Sequence, residues 1–147
     1  MCRNLVDAVN ITLTARAFNP RSRSGEDVWT ETITPSPETL DAALRRLRGD
    51  GTADLMLEHQ GCRLCVAGGP DRFNVLADLG DDQFYDLIGD PSLRGWHPLL
   101  LGGQLTPTPQ RHLVPLEDAL QAALTFLEQG TVPISPRWER QLPFEDE

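Results

Sequence analysis

Apolar and polar side chains alternate over much of the chain. Within residues 10–18, Ile11, Leu13, Ala15 and Ala17 fall on one side of an extended chain and Thr12, Thr14 and Arg16 on the other. That is the period-two pattern of a half-buried strand. Residues 19–25 carry Pro20 and Gly25 as breakers and predict a loop with Arg21 and Arg23 at its tip. Residues 26–34, rich in Thr, Val, Ile and Trp, predict a second strand that forms a hairpin with the first.

The period then becomes helical. Ser36 suits an N-cap, Pro37 the first helical position and Glu38 the positive end of the helix dipole. Leu40, Ala43, Leu44 and Leu47 form one apolar stripe. Arg45, Arg46 and Arg48 stand near the negative end, and Gly49 or Gly51 predicts the stop. A run of short strands follows, at 52–60, 62–68, 72–78, 83–89 and 96–103, with turns at Gly61, at Gly68-Gly69-Pro70-Asp71 and at 79–82. Turns this short join antiparallel neighbours. A second helix begins after Pro115, with Glu117 and Asp118 in its first turn, and ends at Gly130. Leu116, Ala119, Leu120, Ala123, Leu124 and Leu127 are its expected buried face. The remaining tail is broken by prolines. Trp138 and Phe144 are its candidate pins, and 144–147 are expected to be mobile.

Consecutive strands with few intervening helices predict an α+β fold. The expected architecture is a single domain over 1–147, an antiparallel sheet of about five to seven strands and two main helices on one face. A chain of 147 residues is long enough to build a core without a metal or disulfide staple.

Charge narrows the function. Twenty-two acids oppose 13 bases, all of them Arg, for a net charge of -9. Nucleic-acid binding depends on neutralising phosphates, so this balance disfavours direct nucleic-acid contact. It suits a basic protein partner, which opposite fields would steer into encounter, although acidity also serves solubility alone. No stretch of about 18 apolar residues predicts a membrane span, and the start has no signal-peptide pattern. A cytoplasmic location with free thiols at Cys2, Cys62 and Cys65 is therefore expected.

Candidate chemistry is sparse. Cys62-Arg-Leu-Cys65 has C-x-x-C spacing, but on a strand its sulfurs face opposite sides and cannot share a metal. His59, His97 and His112 are scattered. Asp78, Asp81, Asp82, Asp86 and Asp90 crowd one stretch without the alternation or closing Glu of an EF-hand loop. They read as a solvated loop or as a partner-facing patch. Gly102-Gly103-Gln104 lacks a phosphate-loop pattern but permits close backbone approach. No catalytic residue, metal or cofactor is predicted.

The segments VAGGPDRFNV (66–75), FYDLIGDP (84–91) and GGQLTPTPQRHLVPLEDALQAALTFLEQG (102–130), with Trp138-Glu139 after them, resemble the immunity protein 1 family of bacterial polymorphic toxin systems. The resemblance covers roughly the last two thirds of the chain, and its matching residues are Gly102, Gly103, Gln104, Arg111 and Trp138. It implies an α+β protein that is not an enzyme and that neutralises a cognate toxin by binding it. The implied toxin is a zinc-dependent nucleic-acid deaminase whose basic substrate cleft is covered. The expected contacts are Asp78, Asp81, Asp82 and Asp86, with Tyr85 or Trp96 as apolar anchor and Gln104 as a further candidate. The alternatives are a small thiol- or carboxylate-dependent enzyme using Cys65 or the aspartates, and a different acidic interaction protein that mimics nucleic acid.

Overall fold

The structure is a computed structural model, described for residues 11–18, 27–33, 35–47, 53–101 and 104–141. Its elements in chain order are β1 (Thr12–Phe18), β2 (Asp27–Ile33), α1 (Pro37–Arg45), β3 (Ala53–His59), β4 (Cys62–Gly68), β5 (Phe73–Asp78), β6 (Phe84–Leu87), β7 (Trp96–Leu101), β8 (Gln104–Pro109), a 3-10 turn at Gln110–His112, α2 (Leu116–Gln129) and β9 (Trp138–Arg140). Seven strands form one sheet in the order β2-β1-β3-β4-β5-β6-β9, and β7 and β8 pair as a separate two-stranded sheet. All pairings are antiparallel. The expected α+β class with an antiparallel sheet and two helices is the fold observed.

Short turns set the register. Between β3 and β4, Gln60 and Gly61 both take positive φ (47° and 84°), and His59 lies opposite Cys62. Between β5 and β6, Asp81 and Asp82 take φ of 52° and 59°, and the Gln83 amide donates to the Gly80 carbonyl at 3.0 Å. Two central residues at positive φ match the right-handed twist of the flanking strands, and Asp tolerates that region better than most side chains.

Register carries one apolar face across the sheet. Leu57, Leu64 and Ala77 stand in line, as do Leu55, Val66 and Val75. All six are at most 1% exposed. Against this face lies α2, which contacts β3, β4 and β5, and α1 packs on α2. The helix contributes Ala119, Ala122, Ala123 and Phe126 as its buried residues, while Leu116, Leu120, Leu124 and Leu127 are only partly buried around them. The buried stripe is thus turned toward Ala122 and Phe126 relative to the expected one. Three alanines let the helix axis approach the sheet, and the leucines fill its flanks.

Helix ends follow local chemistry. Ser36 Oγ accepts from the Thr39 amide at 3.1 Å, and Pro37 occupies the first turn. The glycine stop expected at Gly49 or Gly51 lies outside the described residues. The helix ends earlier, at Arg45, because the Arg46 and Leu47 amides bond the Ala43 and Leu44 carbonyls in tighter 3-10 fashion. Gly130 closes α2 in the left-handed region at φ 72°, its amide donating to the Phe126 carbonyl at 2.7 Å.

Two strands lay outside the sequence reading. The proline-rich β8 completes the hairpin with β7, and β9 adds to the sheet edge beside β6. In the hairpin Pro98 lies opposite Pro107. Each lacks an amide hydrogen, which an edge pairing tolerates and a central strand does not. The thiol expectation also needs correction. Cys62 is disulfide-bonded, and Cys65 is free. As expected for a strand, the two project to opposite faces, with Cys62 fully buried and Cys65 half-buried.

Candidate functional site

A dense side-chain network lies at the β5–β6–β9 edge, on the sheet face opposite α2. Register places Leu76, Asp86 and Glu139 in line on that face, with Asn74 two residues from Leu76 on the same side. The Gln110–His112 turn brings Arg111 and His112 over them. Arg111 grips Glu139 with both ends of its fork, Nε to Oε2 at 2.9 Å and Nη2 to Oε1 at 3.0 Å. His112 Nε2 lies 2.8 Å from the same Oε2. Asp86 is 5% exposed and accepts from Asn74 Nδ2 at 3.3 Å and Gln141 Nε2 at 2.7 Å. Asn74 Nδ2 also donates to the His112 carbonyl at 3.3 Å.

Electrostatics follow from those partners. The Arg111 fork and then the His112 ring hold the Glu139 carboxyl down at about 2, and Glu139 in turn raises Arg111 above its ordinary value. The other ring nitrogen of His112, Nδ1, stands 3.6 Å from Asp86 Oδ2. The two nitrogens thus address different carboxylates and do not converge on a common ion. Among the described residues, no group of three or more His, Cys, Asp or Glu side chains is arranged to hold a metal. Every carboxylate of the network is already engaged by a donor. The arrangement clamps β9 and the 110–112 turn onto the sheet.

The other residues singled out in the sequence scatter around this clamp. Asp81 and Asp82 are exposed at the tip of the β5–β6 turn. Asp78 is half-buried at its base and accepts from the Gly80 amide at 3.0 Å. Asp90 lies in the next loop, where the Ser92 hydroxyl and amide lower its carboxyl below the ordinary range. Asp86 points into the network, so the five aspartates do not form one continuous rim. Strand alternation separates them: β6 sends Asp86 and Tyr85 to opposite faces. Tyr85 is half-buried against the core, opposite Ala77. Trp138 is half-buried opposite Leu87. Gly102, Gly103 and the side chain of Gln104 lie outside the described residues.

Trp96 is 66% exposed at the start of β7, opposite Pro109. Alternation places Pro98, Leu105 and Pro107 on the same face of the hairpin. Leu105 is 68% exposed, and Pro98 and Pro107 are exposed. The opposite face buries Leu99 and Thr108. Gly68 lies beside that face with φ of 103°: a Cβ there would meet the Arg72 carbonyl at 2.8 Å, while Leu99 Cδ1 would stand at an ordinary contact distance of 3.4 Å. Sequence reasoning singled out Trp96 but not its neighbours. The available signal was proline at alternate positions, 107 and 109, after a strand holding Pro98.

Cys65, the candidate nucleophile, is half-buried on β4, opposite Met56 and Leu76. Burial, and then the negative charge of Asp54, pushes its thiol up to about 11, so the nucleophilic thiolate is suppressed near neutral pH.

A family model described as Immunity protein Imm1 matches residues 30–140. No curated protein and no solved structure matches the chain.

Proposed function

Because the chain belongs to the family of immunity protein Imm1, we propose that it neutralises its cognate toxin by stoichiometric binding, and that this toxin is a zinc-dependent nucleic-acid deaminase. The match over residues 30–140 is the observation that carries the reading. A net charge of -9 with no lysine supports it. A nucleic-acid enzyme needs a basic groove for phosphates, and an acidic chain is steered toward such a groove. The exposed Asp81 and Asp82, with Asp78 at their base, are the proposed steering charges, and Gln104 and Tyr85 are further proposed contacts. Trp96 is the proposed anchor. Asp86 is buried and bonded, so its proposed part is to hold β6 in place behind the turn that carries Asp81 and Asp82.

The reading places the complex in the cytoplasm, with no membrane or direct nucleic-acid contact. It also makes the chain a binder rather than an enzyme. The suppressed Cys65 thiolate and the donor-engaged carboxylates of the clamp support that choice. Co-expression tests it. Cells producing the toxin encoded by the neighbouring gene should survive only when this chain is also produced, and their nucleic acid should carry no excess deamination. Cell death at a molar excess of this chain would reject neutralisation. Survival without any deamination in the unprotected control would reject only the deaminase assignment.

A further inference from the structure

We infer that the outer face of the β7–β8 hairpin, formed by Trp96, Pro98, Leu105, Pro107 and Pro109, is the anchoring surface on which the toxin domain docks. The inference rests on the immunity reading and specifies its contact. Among the described residues, Trp96 and Leu105 are the two most exposed large apolar side chains, at 66% and 68%. Register strings them along one face with the prolines between them. An apolar face left in water on a separate hairpin marks an interaction site more often than an isolated surface leucine does. Tryptophan is the side chain most enriched among residues that dominate binding energy.

Three prolines also stiffen this face. Their rings fix φ, so little freedom remains to be lost when a partner seats on it. Pro98 and Pro107 carry no amide hydrogen, which weakens both hairpin edges as templates for an added strand. Docking therefore runs through side chains rather than through strand addition.

Charge decides between two occupants. A second copy of this chain would bring two bodies of net charge -9 together, and like fields oppose that contact. A partner with an apolar socket ringed by lysine and arginine meets no such penalty. Beside the hairpin base, where the Gln110 amide bonds the Gly95 carbonyl at 3.1 Å, lies an open groove of about 620 Å³ that includes Asp71, Asp90 and Leu93. Arg72 and Asp118 line it too, so three carboxylates against one arginine give this groove the charge sign that a basic partner requires.

The test measures binding of the purified toxin domain encoded by the neighbouring gene to the full chain and to Trp96→Ala, Leu105→Ser and, as control, Glu128→Gln on α2. The first two should weaken the complex by roughly 30-fold or more each, mainly through faster dissociation, with unchanged thermal unfolding because both side chains lie largely in water. Glu128→Gln should bind like the parent. Parent-like binding by both hairpin variants overturns the inference while leaving the immunity reading intact. Absence of binding by the parent chain removes both. Sedimentation showing that Trp96→Ala dissolves a self-association of the chain, with toxin affinity unchanged, also overturns it.

Discussion

Arg111 holds Glu139 across 28 positions of sequence with two parallel hydrogen bonds of 2.9 and 3.0 Å. The pair ties the turn before α2 to the last described strand. Beside it, β9 is held by three register pairs with β6, by His112 on the same carboxylate and by Gln141 on Asp86. The clamp thus explains why an arginine in the middle of the chain and an acid near its end form one local structure.

Arg111→Ala should lower unfolding free energy by ~1–2 kcal/mol in urea titrations, since both partners keep more than a third of their side-chain surface in water. A double-mutant cycle with Glu139→Gln should return a coupling of ~1 kcal/mol. Arg111→Lys should not restore it, because a point-charge ammonium cannot reproduce the two-pronged geometry. Additivity of the two single changes would show that the pair contributes nothing.

Acid should undo the same clamp. The folded-state pKa of Glu139 lies at about 2, below its ordinary 4.5, so its stabilisation is present above pH 4.5 and is lost as pH falls toward 2. Partial exposure limits the effect to ~1 kcal/mol. Unfolding free energies of the parent and Glu139→Gln should converge on descending through this window. Parallel curves would refute the linkage.

Two glycines should respond differently to alanine. At Gly89 a Cβ would run into the Leu113 carbonyl, which is backbone and cannot swing aside. Gly89→Ala should therefore cost ~2–3 kcal/mol by local distortion. Gly80 has φ of 82° but nothing within 4 Å of a new Cβ, so Gly80→Ala should cost only the left-handed strain of ~1 kcal/mol. Chemical denaturation of both variants ranks them, and a reversed order would contradict the placement of the 88–89 backbone against Leu113.

Cys65 should resist alkylation. With its thiol pushed up to about 11 by burial and by Asp54, thiolate capture at pH 8 should run at least tenfold slower than for the unfolded chain. Rates should keep rising beyond pH 10, where an ordinary thiol has levelled off. Labelling that saturates near pH 8 would return Cys65 to the list of candidate nucleophiles.

Local patterns fixed much of this molecule in advance. Alternation located β3, β4, β5 and β6, Ser36 and Pro37 started α1, and Gly130 ended α2, because propensity, capping and turn chemistry act over a few neighbouring residues. The strand reading of Cys62 and Cys65 also placed them on opposite faces before any tertiary contact was known. The proline-bearing strand β8 and the three-residue β9 were not legible, since each becomes a strand only through its partner across the chain. Nor could sequence show that Asp86 turns inward while Asp81 and Asp82 remain in water. That outcome depends on whether a donor waits opposite each carboxylate. Here only tertiary structure decided it, by bringing Asn74, Arg111, His112 and Gln141 from distant segments to the same few ångströms. Periodicity sets which face a side chain takes, and long-range packing sets what it meets there.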